Sequence, residues 1–448
     1  MSLLLLLPAI TMAAFAFLYY RTHPVARSLT AAIVFGIFYW YLLPGFIFLL
    51  DAEIRGVDSY LLRSSSITLH SFWLINFSLA LLLLLPGVAS ITCRLRYRAL
   101  KQELLNFSEN GVDKLLLVTA ISSVSLLVMR FAELGPGFAL QLIIGLTSAR
   151  EVMRFENTSG SVAESLFALW EILTVFSSIF LATTYVWLRR AMSMRFVLAC
   201  LSVVLVFASN GTRSVLLLLV FSLIAALFSR PSSPRSSARH ASTLRKRRRL
   251  LPVLAAVGLC VVVSMNIIAR FANDSSQSEH ILLNSVASHN DMFRELLFSI
   301  TNADRYQADG WLLLQTPLTF AMPSFLGFSK TIPTHLVDFN FDRAGIDLLQ
   351  GAGNVFPGLI ADMYLCFGNF GPIVQAALSA IFMILLWHVT LKKNKSAVGG
   401  GLFITLLAYY VISFRNMQGS FVVLLVVAFL LSRFLSVRAA QRRPSGRC

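Results

Sequence analysis

Long apolar runs alternate with short polar segments along most of this chain. A helix needs roughly 20 apolar residues to cross about 30 Å of hydrocarbon, and about eleven runs approach that length. They cover residues 3–20, 28–50, 67–91, 115–134, 163–187, 196–209, 214–229, 250–269, 370–391, 397–414 and 419–436. The pattern predicts an all-α fold, a polytopic transmembrane helical bundle of about eleven spans.

The first run could be taken for a signal peptide because it begins almost at the first residue. No basic residue precedes it, whereas Arg21, His23 and Arg27 follow it. This order reverses the polarity of a signal peptide. We therefore expect residues 3–20 to be kept as the first span.

The composition agrees with a surface that faces lipid. Of the 448 residues, 57% are hydrophobic and 13% are charged, and the mean hydropathy is +0.74. Soluble proteins devote about a quarter of their residues to charge. The five cysteines are scattered without a CxxC pair, so the sequence indicates neither a disulfide framework nor a zinc site.

The net charge of +17 would suggest nucleic acid in a soluble protein, but here its distribution decides otherwise. Lys and Arg concentrate in alternate loops, among them the Arg-rich segment 230–249 and the C-terminal tail. Basic short loops stay cytoplasmic, which predicts an external N-terminus and a cytoplasmic C-terminus. We read 230–249 as an anchor against anionic lipid and expect no nucleic-acid partner.

The chain divides into three regions by this pattern. Residues 1–269 form an N-terminal transmembrane region, 270–352 a large external loop, and 353–448 a C-terminal transmembrane region with the basic tail. The loop holds nine carboxylates and three histidines. A connection of this length is usually functional or disordered, and its helical pattern near 281–300 and its aromatic residues predict a folded lid.

The sharpest local signal is the turn from Asn210 to Arg213, which separates two short apolar runs. Helices of 14 or 15 residues measure only ~21–23 Å, less than the hydrocarbon core. Arg213 should therefore lie at or below the outer interface. A cation there is energetically costly and indicates function, although pairing with a carboxylate such as Glu171 is the structural alternative.

Further charged residues fall at the same predicted face of the membrane. Arg150 and Arg154 are four residues apart, on one face of a short helix. Arg270 ends a span, and Arg415 lies in a tight turn. Guanidinium groups bind phosphate in a bidentate manner, so these cations suit a polyanionic lipid headgroup.

The sequence contains no GxxxxGK[ST], no GxGxxG after a strand and no HExxH. We read Gly399–Gly401 as a loop rather than a nucleotide-binding turn. We therefore expect no cofactor and no metal. Any enzymatic reaction would use an activated substrate that is already in the membrane.

Several of these features resemble the bacterial O-antigen (oligosaccharide repeat-unit) polymerases. They are the Gly-Thr-Arg turn at 211–213, the large late loop, the Phe-Arg-Asn turn at 414–416 and the stretch GAGNVFPGLIADMYLCFGNFG at 351–371. The last is similar to the family's glycine, acidic residue, aromatic and Phe-Gly-x-x-Gly pattern. One departure is Asp362, where the family more often has Glu.

The resemblance implies a membrane-embedded glycosyltransferase of the GT-C class in the bacterial inner membrane. Its substrates would be undecaprenyl-diphosphate-linked glycans, it would need no metal, and a polysaccharide chain-length regulator could be a partner. We assign the leaving diphosphate to Arg213, Arg270 and Arg415, with Arg150 and Arg154 in reserve, because positioned cations stabilise developing charge.

A base must also take the proton of the acceptor hydroxyl. Four candidates lie in the predicted external loop or at the outer side of the membrane: Asp362, Asp291, Glu295 and His289. Asp362 lies in an apolar stretch that is either an interfacial helix or the outer half of a kinked span. Asp291 and Glu295 share a helical face, and a solvated loop helix is an equally good reading of that pair.

Two other functions fit parts of this pattern. An O-antigen ligase, which transfers polysaccharide to the lipid A core, needs the same cations and a similar loop. A transporter of lipid-linked sugar is the rival from another class. Transporters commonly have repeated halves and binding sites at the bilayer midplane, whereas here the polar candidates lie at one face.

Overall fold

The computed structural model describes residues 7–19, 24–46, 69–92, 109–135, 162–188, 193–210, 213–228, 292–306, 338–339, 342, 358–392, 397–412 and 430. All the regular structure in these residues is helical, with no strand among them. The all-α prediction is confirmed to that extent.

The helices follow one another along the chain with bounds close to the predicted runs. They are α1 (Leu7–Tyr19), α2 (Pro24–Ile37), α3 (Leu69–Thr92), α4 (Glu109–Leu134), α5 (Val162–Trp187), α6 (Met194–Asn210), α7 (Arg213–Phe228), α8 (Met292–Thr301), α9 (Leu359–Phe367), α10 (Gly371–Trp387) and α11 (Ala397–Ile412). A π-helical turn, Phe38–Leu42, continues α2, and another, His388–Lys392, continues α10. The predicted runs 250–269 and 419–436 lie outside the described residues, apart from position 430.

Four apolar stretches in the described residues are long enough to cross a membrane. They are Leu29–Phe46, Val112–Met129, Leu169–Trp187 and Leu359–Thr390. Five shorter apolar helices accompany them, within α1, α3, α6, α7 and α11. These apolar helices indicate that the chain is a helical membrane protein.

The outer surface of the bundle carries apolar side chains in stripes. On α4 the exposed residues recur along one helical face: Leu117, Val118, Ile121, Val124 and Val128. Soluble monomers rarely expose a continuous apolar stripe of this kind. Contact of this face with lipid explains its composition.

Helix α5 lies at the centre of the bundle and packs against α4, α6, α7 and α11. Its contact with α11 is close because α11 begins with small residues. A Cβ at position 401 would lie 2.1 Å from the Thr184 Oγ1, and one at Gly400 would lie 2.9 Å from the Trp187 ring. The reading of Gly399–Gly401 as a loop is therefore wrong, because these glycines form the helix-packing surface that small residues commonly provide in membranes.

An ion pair fixes the relative direction of two helices. Arg195, at the start of α6, lies 3.1 Å from Asp113, at the start of α4. The two helices pack side by side, so they run parallel. This direction is what an alternating path through α4, α5 and α6 requires.

The chain reverses between α9 and α10 at the 3₁₀ turn Gly368–Phe370. In a continuous helix, residues eight apart are about 12 Å apart. Here a Cβ on Gly371 would lie 2.4 Å from the Met363 carbonyl oxygen. The span itself is therefore α10 with its π-helical turn, which together measure about 33 Å.

Candidate functional site

The short helix α9 carries the predicted acid and has glycines at both ends. Gly358 precedes it with φ of 83° and Gly368 follows it with φ of 56°, and both values favour glycine. The first intrahelical hydrogen bond runs from the Asp362 N–H to the Gly358 carbonyl, at 2.9 Å. These glycines limit α9 to nine residues.

Asp362 is buried inside the bundle, with 4% of its surface exposed. Its Oδ1 atom has no hydrogen-bond partner among the residues that the structure describes. All of Leu359–Leu365 is buried. The sequence left open an interfacial helix and the outer half of a kinked span, and the structure shows a short buried helix that packs beside α10.

Tyr41 lies against the beginning of α9 from the other end of the sequence. It belongs to the π-helical turn Phe38–Leu42 and is buried. It interacts electrostatically with Asp362 of α9 and Tyr410 of α11.

Glu295 is the second predicted acid that the structure places near α9. It lies on α8, which packs against α9, α3 and the π-helical turn after α2. Only 7% of Glu295 is exposed, and its neighbours Phe293, Leu296 and Leu297 are also buried. The reading of this helix as solvated is wrong, because α8 is inserted among transmembrane helices and its phenylalanine and leucine side chains are buried there.

Polar groups continue from this site onto α10 and α11. The Tyr410 hydroxyl donates to the Ser379 Oγ. Gln375 lies one turn earlier on α10 and is buried, and neither its Oε1 nor its Nε2 has a partner among the described residues. A buried amide without partners is costly, so these atoms are available to a bound polar group or water.

A small aromatic cluster joins described residues of segment 270–352 to α9. Phe298, Tyr306 and Phe339 form edge-on or tilted ring pairs with centroids 5.4–6.0 Å apart. Leu365 of α9 packs into the same cluster. These contacts tie parts of the predicted lid to the helix that bears Asp362.

One carboxylate holds this cluster together at its edge. The Tyr306 hydroxyl donates to Asp342 Oδ2, and Arg305 Nη2 lies 2.7 Å from the same oxygen. Burial, followed by this hydrogen bond, raises the pKa of Tyr306. The phenol is therefore protonated and able to donate at neutral pH.

The predicted cations are placed only in part. Arg213 is the first residue of α7, and two residues separate it from Asn210 at the end of α6. The side chain of Arg213 lies outside the described residues. So do Asp291, His289, Arg150, Arg154, Arg270 and Arg415, whose assignments stay predictions.

Two residues of this site were missed in the sequence. Tyr41 lies in the aromatic run FYWY at 38–41, which is unremarkable within a transmembrane span. Gln375 is an uncharged polar residue in an otherwise apolar span, and that contrast could have indicated it. Among the described residues, no group of three or more His, Cys, Asp or Glu is arranged to hold a metal.

No protein-family model, no curated protein and no solved structure matches this chain.

Proposed function

We propose that this protein is a membrane-embedded glycosyltransferase that polymerises undecaprenyl-diphosphate-linked oligosaccharide repeat units into O-antigen or a related surface polysaccharide. The reaction would take place at the periplasmic face of the inner membrane. The proposed orientation of the chain has its N-terminus in the periplasm and its C-terminus in the cytoplasm.

The observation that supports this proposal best is the position of Asp362. This acid is buried, has an oxygen without a partner among the described residues, and lies in the segment 351–371 that resembles the polymerases. Helix α8 from the predicted external loop packs on its helix. A buried carboxylate with an open acceptor oxygen is suited to act as a general base.

The reaction we propose is a direct transfer of the growing chain. The non-reducing hydroxyl of the incoming repeat unit attacks the anomeric carbon of the donor polysaccharide. A new glycosidic C–O bond forms, and the bond between that carbon and the undecaprenyl diphosphate oxygen breaks. The diphosphate leaves with the bonding electron pair, and Asp362 takes the proton of the attacking hydroxyl.

The leaving diphosphate needs a cationic site. Arg213 begins α7, where the backbone N–H groups of a helix N-terminus already favour anions. A cation is itself disfavoured at this end of a helix dipole. We therefore assign the diphosphate to Arg213, with Arg270, Arg415, Arg150 and Arg154 as further candidates for the anion's site.

The proposal is tested by the surface polysaccharide of a host that lacks this gene. Electrophoresis should show lipid A core that bears a single repeat unit, and the wild-type gene should restore the ladder of longer chains. An Arg213→Ala gene whose product is inserted normally should not restore it. Long polymer that remains on undecaprenyl lipid, with bare core, would instead identify a ligase.

A third result would point to the other class of function. If no repeat unit reaches the outer face in the deletion strain, transport of lipid-linked sugar becomes the better account. The catalytic assignments of Asp362 and Arg213 would then be wrong together.

A further inference from the structure

The buried face of α10 carries a polar side chain close to α9. The buried residues on this face recur at intervals of four: Gly371, Gln375, Ser379 and Met383. Residues four apart lie on the same side of a helix, with Cβ atoms about 6 Å from one another. Gly371 shows what this side meets, because a Cβ there would lie 2.4 Å from the carbonyl oxygen of Met363. Gln375 therefore lies one helical turn along α10 from a contact with the residue that follows Asp362.

Gln375 differs from the two other buried polar residues that are described on α10 and its π-helical turn. The Ser379 Oγ accepts from the Tyr410 hydroxyl, and the Thr390 Oγ1 donates to a carbonyl of its own helix at 2.7 Å. Gln375 is 1% exposed, and neither of its amide atoms has a partner among the described residues. The same holds for the Asp362 Oδ1 on α9. Two helices that pack together thus present unpartnered polar groups near their shared turn.

An apolar residue at position 375 would suit the inside of a transmembrane helix better than glutamine does. A buried donor or acceptor without a partner destabilises a protein, and this amide has one of each kind. Polar residues inside a membrane are costly and mark functional sites. The glutamine is therefore best explained by a ligand that provides the missing partners.

The chemistry of the amide selects the ligand. A primary amide presents an acceptor oxygen and a donor nitrogen side by side. Neighbouring hydroxyl groups of a sugar ring match this pair, because each hydroxyl both donates and accepts. An ionised diphosphate offers acceptors only and would leave the Gln375 Oε1 unpaired, and an acyl chain would leave both amide atoms unpaired. A sugar with vicinal hydroxyl groups is the matching class of ligand.

We infer that Gln375 is a sugar-binding residue of the acceptor site, and that its amide binds the hydroxyl groups next to the one that gives its proton to Asp362. The inference rests on the proposed function, because it names the acceptor sugar as the occupant. The two residues reach this site from α9 and α10, which pack together. Gln375 orients the acceptor sugar, and Asp362 takes the proton.

Gln375→Met separates sugar binding from stability. The substitution removes both hydrogen-bonding atoms and nearly keeps the volume, so we expect the thermal midpoint to stay the same or to rise by about 1–3 °C. The affinity for the sugar should fall about tenfold, which is about 1.4 kcal/mol and matches the loss of one or two neutral hydrogen bonds. Gln375→Asn keeps an amide but withdraws it by one methylene, and we expect it to bind the sugar less tightly as well.

The experiment uses the full chain purified in detergent and two probes. The first probe is the repeat-unit oligosaccharide, released by mild acid from the lipid of the host strain without this gene. The second is undecaprenyl diphosphate without a sugar. Calorimetric titration measures the binding of each. Gln375→Met should bind the oligosaccharide about tenfold less tightly and should bind undecaprenyl diphosphate as wild type does.

Ser222→Ala is the matched control. Ser222 of α7 is fully buried, and its Oγ also has no partner among the described residues. We expect the Ser222→Ala protein to bind both probes like wild type. If it loses as much oligosaccharide affinity as Gln375→Met, the effect is common to buried unpartnered groups, and the specific role of Gln375 is refuted.

Three other results would overturn the inference. Wild type that does not bind the oligosaccharide has no sugar site of this kind. Unchanged oligosaccharide binding by Gln375→Met would show that no sugar contacts the amide, and a lower thermal midpoint with it would assign the amide to a structural water. Equal weakening of both probes would mean that the substitution distorts the site instead of removing a sugar contact.

The proposed function and this inference fail in different ways. If wild type elongates lipid-linked repeat units but Gln375→Met binds the oligosaccharide normally, the polymerase stands and the sugar-binding role is wrong. If oligosaccharide binding needs Gln375 but wild-type vesicles lengthen no glycan, the polymerase assignment is wrong and a sugar site remains.

Discussion

The ring of Phe293 on α8 packs directly on Gly45, three residues after the π-helical turn that continues α2. A Cβ at position 45 would lie 2.9 Å from the ring carbon Cδ2, closer than side chains normally approach. Because α8 also packs on α9, we expect this contact to help determine how deeply the predicted loop helix is inserted.

Gly45→Ala is therefore expected to push α8 outward and to destabilise the protein by about 1–3 kcal/mol, as overpacking of a core does. Phe293→Leu should relieve the clash, so the double variant should be more stable than the sum of the single effects. Thermal unfolding in detergent measures this. Strictly additive losses would mean that residues 45 and 293 do not determine the insertion of α8.

The turn between α9 and α10 can accommodate an added side chain less well than the contact at Gly45 can. The atoms closest to a Cβ on Gly371 belong to the Met363 and Tyr364 backbone, which cannot rotate away. We expect Gly371→Ala to cost more stability than Gly45→Ala and to abolish elongation. Ile373→Ala on the exposed face of α10 is the control, and equal losses in the two variants would contradict this account of the turn.

Much of this arrangement follows from residue patterns, and some of it cannot. The bounds of α3, α5 and α10 lie close to the apolar runs, because the hydrocarbon thickness sets both. Asp362 is recognisable as an acid in an apolar stretch. How deeply α8 is inserted could not be predicted, because it packs against α2, α3 and α9, which are distant in sequence.

The same reason explains one misreading and one omission. Glycines at 399–401 resemble a loop until Thr184 and Trp187 of α5 are brought against them. Tyr41 has no local feature that marks it, since Asp362 and Tyr410, with which it interacts electrostatically, lie more than three hundred residues later. Local patterns predict the helices, whereas long-range contacts decide which polar side chains meet.

The identity of the base is tested by comparing acids of different burial. Asp362→Asn should reduce elongation on the order of 100-fold or more, because a positioned base contributes about 10²–10⁴-fold. Asp304 is exposed and lies in the predicted loop, and Asp304→Asn should leave the rate within about twofold of wild type. Glu295→Gln is the third variant. If it loses more of the elongation rate than Asp362→Asn does, Glu295 on α8 is the base instead.

The attachment of the loop segment can be tested at Asp342. Asp342→Ala leaves the buried Tyr306 hydroxyl without its acceptor, which costs about 1–3 kcal/mol. Arg305→Ala should cost at most about 1 kcal/mol, because the Arg305 side chain is 67% exposed and such pairs are weak. Limited proteolysis should therefore cleave segment 270–352 faster in Asp342→Ala only. If both variants are cleaved faster than wild type and to the same extent, the ion pair, and not the phenol, holds the cluster.

The most direct test of the central claim is elongation by the purified protein alone. Wild type is placed in vesicles with undecaprenyl-diphosphate-linked repeat unit from the deletion strain and a metal chelator, and products are separated by size. We predict a ladder of longer glycans on the lipid, with one undecaprenyl diphosphate released for each bond formed. Repeat units that stay single, or glycan that is transferred only when lipid A core is added, would contradict the account.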